Sequence, residues 1–219
     1  MATRSFDLIV FDWDGTLMDS AGAIVASLIA ACADLGIAPP SEKQARHIIG
    51  LGLDDALRCA LPDLEPRRYQ DLSRQYRVHY LAEDHELRLF DGAERLVAGL
   101  AERGYALAIA TGKSRLGLDR ALAASGIANF FSDSRCADEC HSKPHPQMLE
   151  ELMESMAAEP QRTLMIGDTT HDLMMARNAG VASLAVAYGA HELAGLEAEQ
   201  PLYCAASVDE LDLWLQSNG

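Results

Sequence analysis

The chain has 219 residues, 49% hydrophobic and 23% charged, which is enough apolar material to bury a full core. Its formal charge of −15 excludes partners that need a basic surface, nucleic acid and anionic membrane, and no apolar run approaches the roughly 20 residues that span a bilayer. Its five cysteines are an odd number, which points to reduced thiols, and the opening MATRSFDLIVFD is too acidic for a secretory signal, so the expected location is the cytoplasm.

The run FDLIVF at residues 6–11 is short, apolar and rich in branched and aromatic residues, as a buried parallel strand is. Residues 19–89 then hold several helical patterns and no convincing strand. Asp19 and Ser20 are N-cap types for a helix whose Ile24, Val25, Leu28, Ile29, Cys32 and Leu35 share one face, ended by Gly36 and the Pro39–Pro40 break. A second amphipathic helix carries Tyr69, Leu72, Tyr76 and Tyr80. Beyond it, Ala93, Leu96, Val97 and Leu100 form one helical stripe, and short apolar runs recur at residues 106–110, 163–166, 181–186 and, more weakly, 202–205. This alternation predicts an α/β fold, a doubly wound, Rossmann-like parallel sheet built from residues 1–18 and 90–219. Residues 19–89 are expected to form an all-helical cap over the carboxyl ends of the strands, where open sheets bind ligands.

Four segments carry chemistry. DWDGTLMDS, residues 12–20, places two carboxylates two residues apart at the mouth of the first strand, pointing the same way if the chain stays extended. One carboxylate can attack phosphorus while the other transfers protons, although Asp-Gly-Thr alone also suits a simple turn. GDTTHD, residues 167–172, puts Asp168 at a strand tip and Asp172 on the following helical turn, where both can face one cation or cap the helix. His171 reads as a helix-start residue, exposed or touching substrate. ATGKS, residues 110–114, ends a strand at Thr111 beside the amides of Gly112 and Lys113, an anion-binding arrangement. It is no P-loop, because Leu107 stands where that motif needs glycine, and GLG at residues 50–52 is no dinucleotide fingerprint. SKPHP, residues 142–146, presents Lys143, which is either a solvated cation or a counter-charge for a reacting phosphoryl group. Cys136, Cys140, His141 and His145 have the composition of a zinc site but lack its paired spacing, and read instead as the loop presenting Lys143.

These four segments, in this order, resemble the haloacid dehalogenase superfamily, specifically its phosphatases with a helical cap inserted after the first strand and, among those, the phosphoglycolate phosphatase-like branch. The resemblance implies a Mg²⁺-dependent phosphatase acting on a small phosphorylated metabolite, with Asp12 as nucleophile forming an aspartyl-phosphate and Asp14 as general acid and base. Thr111 and Lys143 would hold the phosphoryl group, and Thr16 would position the loop. Amides near Thr111, Gly112 and Lys113 would meet phosphate oxygens. Magnesium would sit on the Asp12 side chain, the Asp14 carbonyl and Asp168, with Asp172 in support. Dehalogenases and phosphonate-cleaving relatives lack an aspartate at the position of Asp14, which leaves a phosphatase or a phosphomutase, and pyrophosphate stays open as a substrate. RHIIGLGL, residues 46–53, falls where the cap's substrate-reading loop is expected, making Arg46 and His47 candidate anion contacts. Local positive charge is expected from the metal, Lys113, Arg115 and Lys143, and the choice between monomer and homodimer is left open.

Overall fold

The computed structural model describes residues 5–219. Six strands, β1 (Leu8–Phe11), β2 (Ala106–Thr111), β3 (Asp133–Cys136), β4 (Thr163–Gly167), β5 (Ala182–Val186) and β6 (Cys204–Ala205), form one sheet in the order β3-β2-β1-β4-β5-β6, every neighbouring pair parallel. Ten α-helices accompany them among the described residues. Four, α1 (Ala21–Asp34), α2 (Glu42–His47), α3 (Leu53–Ala60) and α4 (Tyr69–Glu83), lie between β1 and the rest. The others are α5 (Ala93–Glu102), α6 (Arg115–Ser125), α7 (Gln147–Ser155), α8 (Thr170–Asn178), α9 (Leu193–Ala198) and α10 (Val208–Asn218).

The period of two along each strand divides the core. Ile9, Phe11, Leu107, Ile109, Leu164 and Ile166 pack on one face with α5 and α10, whereas Leu8, Val10, Ala108, Ala110 and Met165 pack on the other with α7 and α8. Both faces are thus covered, as a doubly wound parallel sheet requires. A separate apolar cluster joins Val25, Leu28, Ala45, Leu57 and Leu72 from the four inserted helices, so the insertion has a core of its own. The chain leaves the sheet at Met18 and returns at Leu89, and these two residues form an antiparallel bridge.

Two local expectations are corrected. β3 has no counterpart in the sequence reading, because DSRC is polar and only Cys136 of it is buried, as an edge strand allows. Ser20 stands at the N-cap of α1, but its side chain caps nothing there; its hydroxyl is used elsewhere. No helix among the described residues is long and apolar enough to cross a membrane.

Because Leu107 is fully buried in β2 whereas Leu213 is 63% exposed on α10, truncating them has different costs. Leu107→Ala is expected to lower unfolding stability by about 2–5 kcal/mol, and Leu213→Ala to change it by no more than about 0.5 kcal/mol. Urea denaturation measures both.

Candidate active site

The strand order reverses between β1 and β4, and this is the crevice where an open sheet gathers side chains at its carboxyl end. Phe11 pairs with Ile109 on one side and Ile166 on the other, so Asp12, the tip of β2 and the tip of β4 meet at one level. The Asp12 amide donates to the Ile166 carbonyl at 2.9 Å, which fixes that register.

Asp12, Asp168, Asp172 and Lys143 are all buried here. The Lys143 ammonium lies 2.8 Å from Asp12 Oδ1 and 2.7 Å from Asp172 Oδ1. Asp12 Oδ1 also accepts from the Trp13 amide at 2.7 Å, but Asp12 Oδ2 is buried with no hydrogen-bond partner. Asp168 accepts from the Thr16 hydroxyl at 3.0 Å and from the Ala190 amide at 2.7 Å. Asp172 Oδ2 accepts from the Thr169 amide at 3.1 Å, and the Asp172 amide donates to the Thr169 hydroxyl at 3.3 Å, a capping box on α8, so this acid both caps a helix and holds Lys143. Backbone crowds these carboxylates. Gly15 has φ +83°, and a Cβ there would fall 2.1 Å from Asp168 Oδ2; one at Gly189 would fall 2.3 Å from the same atom.

Burial raises the Asp12 carboxyl well above the ordinary carboxylate range; Lys143 opposes the shift, and Asp172 and Asp168 reinforce it. Burial and then Asp172 push Asp168 up to about 7, against its hydrogen bonds from Ala190 and Thr16. Burial works against the Lys143 ammonium, but the charges of Asp12 and Asp172 outweigh it and hold the amine above its usual value. Three carboxylates whose oxygens lie within 4.8 Å of one another, set against one ammonium, leave negative charge uncompensated. Together with the unpartnered Asp12 Oδ2, this all-oxygen donor set fits a hard divalent cation.

Asp14 lines a cavity together with Asp12 but has different partners. The chain turns after Trp13, whose carbonyl accepts from the amides of Leu17 at 3.0 Å and Met18 at 2.9 Å, so the extended geometry expected of the aspartate pair does not continue. Lys113 Nζ donates to Asp14 at 2.9 and 3.0 Å and to the Tyr80 hydroxyl of α4 at 2.8 Å. The missing cap hydroxyl, Ser20 Oγ, donates to Asp14 Oδ1 at 2.7 Å. Thr111 is fully buried, and with Gly112 and Lys113 it lines a cavity of about 560 Å³ between the sheet and the inserted helices. Gly112 permits close approach, since a Cβ there would meet the Gly50 carbonyl at 2.6 Å.

Several expected contacts lie elsewhere. Ile48, Ile49, Gly50, Leu51, Gly52 and Leu53 line the cavity, but Arg46 and His47 do not. Arg46 pairs with Glu42 one helical turn back, at 3.2 Å. Arg115 is turned toward Glu139 at 2.8 Å and gives no charge to the cavity. The cysteine–histidine segment assembles no metal-ligand group among the described residues; Cys140 Sγ faces Glu151 instead.

His171, expected at the surface or on substrate, is buried at the junction with α2, and so is His191, which the sequence reading did not single out. The His47 carbonyl accepts from His171 Nε2 at 2.7 Å and from His191 Nε2 at 3.1 Å, while His191 Nδ1 accepts from the Thr170 amide at 3.1 Å. Although nitrogens of His47, His171 and His191 lie within 4.8 Å of one another, both nitrogens of His191 are spent, so the trio acts as a latch between α2 and the sheet. Only the folded chain brings together residues 47, 171 and 191, which is why periodicity gave no sign of it.

Comparison with known proteins agrees with this architecture. The family model described as haloacid dehalogenase-like hydrolase matches residues 9–186. The chain is 38% identical over 201 residues to a probable phosphatase IndB of Dickeya dadantii, covering 89% of this chain and 86% of that protein. It is 31% identical over 220 residues to a phosphoglycolate phosphatase of Vibrio vulnificus, covering 96% of each. A solved haloacid dehalogenase-like family hydrolase from Streptococcus pneumoniae superimposes with a TM-score of 0.83 at 27% identity, covering 97% of this chain and 99% of that one.

Burial and the neighbouring His171 push the His191 imidazole down to about 4, below the free value of about 6.5. The unfolded chain therefore takes up this proton first as pH falls, and stability that is complete above about pH 6.5 is lost toward pH 4. The loss attributable to this ring is at most about 3 kcal/mol. Urea midpoints measured across that window are expected to fall more steeply for the wild type than for His191→Gln.

Proposed function

The chain belongs to the haloacid dehalogenase-like hydrolase family, and from that premise we propose that it is a Mg²⁺-dependent phosphatase that cleaves a small phosphomonoester through an aspartyl-phosphate on Asp12. The observation that carries the reading is the buried Asp12 carboxylate, one oxygen held by Lys143 and the other without a partner, at the floor of a cavity that Thr111 and Asp14 also line. In this reading one oxygen of the Asp12 carboxylate attacks phosphorus, the ester P–O bond breaks, and Asp14 gives its proton to the leaving oxygen. Asp14 then takes a proton from water, whose oxygen displaces Asp12 from phosphorus and releases phosphate. The Thr111 hydroxyl and the amides of Gly112 and Lys113 meet the phosphoryl oxygens, and Lys143 offsets the charge that accumulates during transfer. The Asp12 side chain, the Asp14 carbonyl and Asp168 would hold Mg²⁺, whose chemistry is to neutralise phosphoryl oxygen charge. Asp172 acts through Lys143, and Thr16 through Asp168.

Lys113 ties the acid–base group to the cap, because its ammonium touches both Asp14 and Tyr80. We read residues 19–89 as a cap that opens about the Met18–Leu89 bridge, and residues 1–18 and 90–219 as the catalytic core. A cytoplasmic location belongs to the same reading, supported by five free thiols.

Wild-type protein with Mg²⁺ is expected to release phosphate from a chromogenic phosphomonoester, and Asp12→Asn or chelation is expected to abolish this; equal inertness of wild type and Asp12→Asn would end the proposal. For Asp14→Asn, turnover should drop by about 10²–10⁴-fold while phosphate binding, followed by calorimetry, persists. A mutase would instead convert a hexose phosphate to its isomer in the presence of a bisphosphate activator, with little free phosphate.

A further inference from the structure

The cavity above Asp12 restricts what is attached to the phosphate. Its volume of about 560 Å³ falls in the range of roughly 300–1,000 Å³ that takes up a ligand of several rings. A two-carbon acid would leave most of that space as water against apolar walls.

Those walls are hydrocarbon and aromatic. Ile24 and Leu28 of α1, Ile49 of the loop after α2 and Leu57 of α3 face the cavity together with Tyr76 and Tyr80 of α4. The two tyrosine rings stack on each other with centroids 5.8 Å apart and planes inclined at 18°, and Lys113 Nζ lies 4.8 Å from the Tyr80 centroid, so aromatic carbon lines this side of the cavity. The rim continues the pattern. Leu81 and Leu116 line the cavity while remaining 47% and 74% exposed, so apolar surface faces solvent where an incoming molecule would touch it.

The charges argue in the same direction. A second anionic group on the substrate would need a free cation, and two of the three cations that line the cavity are committed. Lys113 is held by Asp14 and Tyr80, and Arg120 pairs with Asp84 at 2.7 Å. Arg46, His47 and Arg115 do not line the cavity. Arg77 is its remaining cation, exposed near the mouth, and it is outnumbered by Asp54, Asp55 and Asp138. Asp54 and Asp55 occupy the first turn of α3, where they offset the positive helix end that would otherwise attract an anion.

Building on the phosphatase reading above, we infer that the alcohol half of the substrate is a ring-bearing group without negative charge, seated against Tyr76, Tyr80 and the aliphatic wall. Small carboxylic acid esters and pyrophosphate lack the surface to cover these walls and add charge where carboxylates already crowd.

The test compares kcat/KM of the purified full chain with Mg²⁺ on naphthyl phosphate, a nucleoside monophosphate, phosphoglycolate, pyrophosphate and acetyl phosphate, with Asp12→Asn as the control. At least one ring-bearing ester is expected to exceed phosphoglycolate and pyrophosphate by about tenfold or more. Tyr76→Ala, and Leu116→Glu on the exposed rim, are each expected to shrink that margin severalfold, chiefly through KM. Asp12-dependent hydrolysis that favours phosphoglycolate, pyrophosphate or acetyl phosphate would overturn the inference and leave the phosphatase reading standing. Absence of Asp12-dependent release from every compound would remove both.

Discussion

A buried ammonium between two carboxylates holds the site together. Lys143 comes from the loop before α7, Asp12 from the end of β1 and Asp172 from the first turn of α8, and each contact is under 3 Å with no exposed side chain among them. Such a cluster is costly to desolvate, and it persists only because the surrounding chain allows few other arrangements. Asp12 ends β1, Asp172 follows its neighbour β4, and the Lys143 loop follows β3 two places away on the other side, so forming the parallel sheet brings all three charges to one edge. Small residues then let the backbone close around them, as at Gly15 and Gly189 beside Asp168, and at Gly167, where a Cβ would lie 2.3 Å from the Asp172 carboxyl carbon.

The inserted helices meet this charged floor through a few polar contacts and close backbone approaches. The His47 carbonyl receives two imidazoles, the Gly52 amide donates to Ser142 at 2.8 Å, and Gly50 rests on Gly112. Ser142 immediately precedes Lys143, so the loop that supplies the central cation also touches the inserted segment. Asp14 has an equivalent link through Lys113 to Tyr80. These contacts join the position of the inserted helices to the placement of both charged groups.

Carboxylates form the metal-compatible floor and recur among the cavity-lining residues, while Ile24, Leu28, Ile49 and Leu57 make the cavity walls apolar. In the proposed reaction, charge handling would fall to the strand tips and contact with the leaving group to α1, α3 and α4.

The sequence by itself determined most of the sheet and where its chemistry lies, because strand period, helix stripe and glycine-bounded strand ends are local properties that survive in a one-dimensional string. Asp12, Asp14, Thr111, Lys143 and Asp168 stand at strand ends or in the loops next to them, and a parallel sheet has only one carboxyl edge on which to collect them. Tertiary structure alone decided which groups each side chain serves. Ser20 abandons its helix cap for Asp14, Arg115 turns to Glu139, Arg46 stays on its own helix, and a backbone carbonyl rather than the ring of His47 joins the two imidazoles. The polar edge strand β3 was invisible for a related reason, since only its pairing with β2 makes DSRC a strand. Each choice is a competition between partners distant in sequence, settled by distance and desolvation in the packed molecule, and no local pattern records which partner wins.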